Sequence, residues 1–302
     1  MITAFRLGDA LRCMLVDAPG GANLAAPTES VVRCRPLRNS TFWKQSLAGS
    51  SSRVTMGDWN GMGLASLASA RVRNGARAWE VDRLHLRDTD QAFDLLEQVV
   101  YAAGCRGAQR VFLRMPCDSP MVSVARRVGF FPYYEEIHLA GQERLPESGS
   151  SSADSKDGFT TEDRSAADQQ GIFQLYCAAT PQKVREGIGM TLDQWWDSQE
   201  PAQAHRKETV LKLDGKTVGW RMSEPFGKTA SGQMIGHPDH PDTTPYLVRL
   251  CGQTQNWLVP DYQGHIVDLL ERQGLSEVGR YTMLIKTVVV PVRSREFSYV
   301  EA

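Results

Sequence analysis

The 302-residue chain lacks an excess of charge of either sign, since 34 lysines and arginines stand against 35 acids for a formal net charge of −1. With no broad positive field and no basic cluster, the electrostatic footprint of a nucleic-acid binder is missing. Paired cysteines are missing too. Cys13, Cys34, Cys105, Cys117, Cys177 and Cys251 are scattered, with no C-x-x-C and no metal spacing. That is the pattern of reduced, mostly buried thiols in a cytosolic protein. Long apolar runs are also absent. The stretch around Val288–Val290 is far too short to span a bilayer. The first twenty residues are interrupted by Arg6, Asp9, Arg12 and Asp17, so they do not read as a signal peptide. The expectation is a cytoplasmic protein with neither a membrane nor a nucleic-acid partner.

What is present is the composition of a soluble globular protein, 41% hydrophobic and 23% charged, long enough for one large or two ordinary domains. Its most legible stretch runs from Val81 to Tyr134. Val81, Leu84 and Leu86 form a short β run ending at the charged loop Arg87-Asp88-Thr89-Asp90. From Gln91 the period changes, and Phe93, Leu96, Val100 and Ala103 share one helical face. Gly104 and Gly107 end that helix, and Val111–Leu113 is a buried-strand run. Ser119 caps a second helix with Pro120 in its first turn, and Gly129 stops it. Strand, helix, strand and helix joined by short loops imply a parallel pair with a right-handed crossover, an α/β core.

This order of elements resembles the acyl-CoA-binding part of the GNAT N-acetyltransferase superfamily. In that family the loop after the fourth strand reads Gln/Arg-x-x-Gly-x-Gly/Ala, and its backbone N–H groups hold the pyrophosphate of acetyl-CoA. Arg87 and Ala92 match the two ends of that pattern, and Asp90 stands at the central Gly. Gly129-Phe130 matches the family's Gly-Phe before its sixth strand. Asp118, Met121 and Ala125 replace its frequent Asn, Ala and Tyr. The resemblance implies a mixed-sheet α/β fold and transfer of an acyl group from acetyl-CoA to a small-molecule or peptide amine. It places the acyl-CoA arm in a splayed strand pair, along Leu84, Leu86, Arg87, Asp90, Gln91 and Ala92.

Around this stretch, turns at Asn60-Gly61 and Asn74-Gly75 give an antiparallel meander feeding the central strands. Leu11–Val16 reads as a short helix or strand, Val31–Cys34 as a strand, and Ser40 or Thr41 as the cap of a helix. Gly141–Gly158 is polar and Ser-rich and reads as a flexible linker. After it come a helix over Glu162–Ala179, a capping box at Thr191–Gln194 and a hairpin about Asp214-Gly215. Strands at Gly232–Gly236 and Gln255–Val259, a helix over Asp261–Gln273 and a β run over Arg280–Val292 follow. Val111–Leu113, helix, Gly129-Phe130 lines up with Trp257–Val259, helix, Gly274-Leu275. The expectation is therefore two tandem GNAT-like domains, 1–140 and 159–302, joined by 141–158.

Two alternatives stay open at the chemistry. Asp90 at the N-terminus of the helix either caps it, taking the N–H groups a phosphate needs, or turns outward from a working cradle with Arg87 beside it. Glu80 and Asp82, on one face of their strand, are either a base for the amine or solvated surface charges. Tyr133 is the candidate acid, because Ala125 holds the family's Tyr position. In the second half the turn His237–Asp242 carries two prolines that donate no N–H, so no acyl-CoA is placed there. His237 and His240 with Asp239 and Asp242 have zinc-competent chemistry but no third distant ligand, and no metal is assigned. The functional expectation is an N-acetyltransferase, with a non-catalytic GNAT-like binding or scaffold protein as the alternative.

Overall fold

A computed structural model describes residues 2–5, 9, 22–33, 52–60, 63–141, 158–250 and 254–288. Among these, twelve strands form one mixed sheet. In the first half it comprises β1 (Ile2–Ala4), β2 (Arg53–Asn60), β3 (Gly63–Val72), β4 (Ala78–His85), β5 (Arg110–Pro116) and β6 (Phe131–Ala140). In the second it comprises β7 (Phe159–Asp163), β8 (Lys207–Leu213), β9 (Lys216–Phe226), β10 (Thr229–Gly236), β11 (Asn256–Pro260) and β12 (Ser276–Thr287). The helices are α1 (Thr28–Arg33), α2 (Ala92–Gly104), α3 (Met121–Arg127), α4 (Gln169–Ala179), α5 (Gln182–Ile188), α6 (Leu192–Asp197), α7 (Thr243–Arg249) and α8 (Gly264–Arg272).

Strand order is β1-β2-β3-β4-β5-β12-β6-β11-β10-β9-β8-β7. Each half therefore gives its last strand to the other: β12 pairs with β5, and β6 pairs with β11. The two exchanged strands also pair with each other, and all three ladders are antiparallel. The expected repeat extends to single hydrogen bonds. Gly129, at φ +97°, ends α3 while Phe130 N–H returns to the Ala125 carbonyl; Gly274, at φ +87°, ends α8 while Leu275 N–H returns to the Leu270 carbonyl. A residue in this left-handed position is most often glycine, because a Cβ is penalised there.

The cores sit under these ladders. In the first half α2 lays Leu95, Leu96, Val99 and Val100 against Val54, Ala68, Ala70 and Leu84 of the sheet. In the second, Trp257 and Val259 join Ile137 and Leu139 of the donated β6, with Leu247, Ile266 and Leu270 from α7 and α8. The halves also clasp at a hairpin tip. Asn74 and Gly75 N–H groups donate to the carbonyls of Gln199 and Asp197, and Arg77 Nε lies 2.7 Å from Asp197 Oδ2. A Cβ at Gly75 would lie 1.9 Å from Asp197 Oδ1, so the close approach leaves no room for a side chain.

Several expectations are corrected. Val31–Arg33 is helical, because Ser30 and Val31 turn back onto the Pro27 carbonyl. The second half opens with β7, since Phe159 is drawn into the core and the capping box at Ser165–Asp168 delays the helix to Gln169. β1, antiparallel to β2, was not anticipated. The elements expected at Leu11–Val16 and Ser40–Thr41, and the linker interior 142–157, lie outside the described residues.

Candidate functional site

The β4–β5 pairing runs from Ala78↔Arg110 to Glu80↔Phe112 and stops. Past that point the strands part, and the chain fills the gap with its own residues 23–26. Leu24 N–H donates to the Leu84 carbonyl and Ala26 N–H to the Arg114 carbonyl, both at 2.9 Å. The Asn23 side chain completes the mimicry of a strand. Its Oδ1 accepts from Leu84 N–H at 2.8 Å and its Nδ2 donates to the Asp82 carbonyl at 2.9 Å. Ala25 is fully buried there. Leu84, the first of the residues along which an acyl-CoA arm is expected, thus already faces a peptide segment.

The adjoining loop is spoken for as well. Asp88, not Asp90, caps the 3-10 turn before α2, its Oδ1 accepting from Asp90 N–H at 3.0 Å. Arg87 N–H donates to Ser66 Oγ. Arg87 and Asp90 are exposed, Leu86 and Gln91 half-buried, and Leu84 and Ala92 fully buried. Gln91 is the N-cap of α2 but makes no capping bond, and its buried Oε1 has no hydrogen-bond partner.

Glu80 and Asp82 are not solvated surface charges. Both are buried and paired. Glu80 takes Arg71 Nε on Oε1 at 2.6 Å and Arg73 Nε on Oε2 at 3.2 Å. Burial pushes its carboxyl up, against the pull of Arg71 and Arg73. Asp82 receives Arg53 Nη1 on both oxygens and the Ser69 hydroxyl. Burial opposes its charge, but Arg53, Arg83 and Arg71 outweigh it and hold the carboxyl down at about 2.

In the second half the equivalent strands, β10 and β11, pair only at Ser231↔Asn256 and Gly232↔Trp257. Beyond this they part onto a cavity of about 260 Å³ between the halves, where Gln233, Met234, Ile235 and Leu258 form one wall. Tyr133, Tyr134 and Glu136 come from the donated β6, Tyr176 from α4, Trp195 from α6, and Tyr262 from the turn after β11. Tyr134 lies edge-on to Tyr133 and Tyr262, with centroids 4.7 and 5.7 Å away. Burial pushes the Tyr133, Tyr176 and Tyr262 hydroxyls well above their usual range.

The floor of this cavity ends a chain of alternating charges. Glu29 meets Arg71 (2.7 Å), Arg71 meets Glu80 (2.6 Å), and Glu80 meets Arg73 (3.2 Å). Arg73 then approaches Glu200 (3.7 Å), which meets Arg114 (2.9 Å), which meets Glu136 (2.8 Å). Four carboxylates thus alternate with three guanidiniums. Arg114 is further fixed by the Ala26 carbonyl and Thr28 Oγ1, both accepting from Nη1. Ala26, in the segment that fills the first slot, therefore also holds one of the cations of the cavity. Glu136 is raised by burial, against Arg114; at Glu200, Arg114 and Arg73 overcome burial and bring it to about 2. Three polar atoms on residues lining the cavity have no well-aligned hydrogen bond: Glu136 Oε2, despite its ion pair with Arg114, Arg164 Nε, beside its ion pair with Glu208, and Tyr176 Oη.

Of the two catalytic candidates from the sequence, the structure puts Tyr133 in the cavity wall and Glu80 behind it, one ion pair from the lining residue Arg73. Glu136, Glu200, Arg114, Tyr176 and Tyr262 were missed. The available signal was a charge inside an apolar β run: Arg114 in Arg110–Pro116 and Glu136 in Phe131–Ala140. At the second-half turn, His237 donates its N–H to Val218 and accepts from Asp239 N–H on Nδ1, while His240 N–H returns to His237.

No family model matches the sequence and no curated protein does. Among solved structures the chain is similar to a GCN5-related N-acetyltransferase from Sphaerobacter thermophilus, at 13% identity and TM-score 0.55 over 95% of each chain. It is also similar to a tandem GNAT protein from the clavulanic acid biosynthesis pathway, at 12% identity and TM-score 0.52, over 95% of this chain and 98% of that one. These likenesses show the fold, which is the GNAT fold in tandem. No helix among the described residues is long and apolar enough to cross a membrane.

Proposed function

We propose that the chain is an N-acyltransferase that modifies a small amine in the cavity between its halves, with the second half taking the acyl donor. The supporting observation is the opposite state of two equivalent slots. The β4–β5 slot is filled by residues 23–26, whereas the β10–β11 slot opens onto the cavity. An acyl-CoA bound there would supply a thioester whose acyl group an amine can take. Met234, Ile235 and Leu258, which line the cavity at the slot, would hold the apolar part of the donor. Glu136 stands where an ammonium proton has to go, and a tyrosine hydroxyl kept protonated by burial, Tyr133 among them, stands ready to donate one. The first-half alternative, with acyl-CoA along Leu84, Leu86 and Arg87–Ala92, requires residues 23–26 to leave.

A second reading, a ligand-binding protein without transfer activity, draws on the loops. Arg87 and Asp90 N–H groups in the first half, and His237, Asp239 and His240 N–H groups in the second, are all bonded within the chain. Calorimetry with acetyl-CoA and with S-acetyl-pantetheine separates the possibilities. If these bonds leave the loops without an anion cradle, the two should bind within about threefold of each other. Hydrogen exchange should slow at 233–236 and 258–263 but not at 84–92. Absence of binding by either compound sinks the acyltransferase reading; protection at 84–92 moves the donor to the first half.

A further inference from the structure

The charge chain has one carboxylate more than it has guanidiniums, and its two ends differ. Glu29, about a third exposed, ends in solvent. Glu136 ends in the cavity, about 3% exposed, sharing Arg114 Nη2 with Glu200. A buried carboxylate with half a counter-charge and an unaligned oxygen is costly unless something cationic joins it. The remaining charges on the cavity wall cancel. Arg164 pairs with Glu208 at 3.2 Å, and Arg206 with Glu224 at 2.8 Å. Arg73 and Arg114 are members of the chain itself. Asp82, Arg53 and Arg83 form a separate cluster that does not line the cavity.

The cavity walls beside Glu136 carry aromatic rings. Tyr134 and Tyr262 lie edge to face, and Tyr176 and Trp195, with centroids 5.7 Å apart, also line the cavity. Aromatic faces next to a carboxylate favour an ammonium, through the ring quadrupole as well as the charge. A substrate carboxylate finds no guanidinium without a partner, and meets Glu136 and Glu200 instead. The cavity, at about 260 Å³, is just below the ~300 Å³ lower end of small-molecule pockets.

We infer that this cavity is selective for a small cationic amine with an aromatic or apolar body and no carboxylate, its ammonium seated on Glu136 and within reach of the Tyr176 hydroxyl. The inference rests on the proposed site, but amine binding can be read without any acyl donor.

The test is calorimetry on the full chain with 2-phenylethylamine, L-phenylalanine and 2-phenylethanol, which differ only in the carboxylate or the ammonium. The amine should bind at least ~10-fold more tightly than either of the others. Glu136→Gln should abolish that preference while leaving acetyl-CoA binding in place. Because Glu136→Gln disturbs a buried pair, Tyr176→Phe is the second variant, removing one hydroxyl and weakening the amine by ~3-fold or more. Equal binding of phenylalanine or phenylethanol overturns the inference, as does amine binding untouched by both variants. Loss of acetyl-CoA binding alone, with amine selectivity intact, counts against the transferase reading and supports this one.

Discussion

Glu136 and Glu200, from opposite halves of the chain, lie on the same nitrogen of Arg114, 2.8 and 2.9 Å away. Neither carboxylate has another close cation, except for Arg73 at 3.7 Å from Glu200. Arg114→Leu therefore strands a buried and a half-buried anion at once. It should cost about 3–5 kcal/mol, the usual loss on breaking a buried pair from one side. Urea unfolding measures it, and a loss below about 1 kcal/mol would mean that water reaches the pair.

Asp82 ionises at lower pH in the folded chain, at about 2, than its ordinary 3.8. Its contribution is thus complete above about pH 4 and disappears as pH falls towards 2. The difference in stability between wild type and Asp82→Asn should be on the order of 2 kcal/mol at neutral pH and shrink across that window. Glu80 and Glu136, shifted upwards by burial, act in the opposite sense. For that reason the quantity to follow is the difference between the two proteins. A difference that stays flat from pH 5 to 2 contradicts the assignment.

Asp88 caps the 3-10 turn that leads into α2, and Asp90 is exposed and makes no cap. Asp88→Ala should cost about 1 kcal/mol, and Asp90→Gly no more than a few tenths. The reverse order in thermal unfolding would return the cap to Asp90.

Gly75 sits against Asp197, where a methyl group has no space. Gly75→Ala should destabilise by about 1–3 kcal/mol, as overpacking does. It should also speed hydrogen exchange at Asn74 and Gly75, whose N–H groups bond across the halves. An unchanged melting temperature would show that the Asp197 side chain simply turns away.

The fold was legible where side-chain period and punctuation agree. Leu96, Val100 and Ala103 gave α2 its buried face, and Gly129 and Gly274 marked the repeat, because these signals are local. The site was less so. Asp88 and Asp90 have equal capping chemistry, and only the loop's path decides between them. Glu80 reads as a surface charge until Arg71 and Arg73 from the neighbouring strand close over it. Nothing near Asn23 announces that its amide will stand in for a strand across from Leu84. The cavity draws on Tyr133, Tyr176 and Glu200, which meet only through the exchange of β6 and β12, and no spacing along the chain encodes that meeting.

The exchange also constrains how the chain is made. β5 receives its neighbour only when β12, with Tyr281 opposite Pro116, has been synthesised. During translation at about 5–20 residues per second, the first half waits with the edge of β5 open for roughly ten to thirty seconds. An unpaired strand edge is a template for pairing with another molecule. In crowded synthesis, the complementary strand of a second nascent chain meets the same geometry, which makes domain-swapped dimers the characteristic misassembly of this architecture.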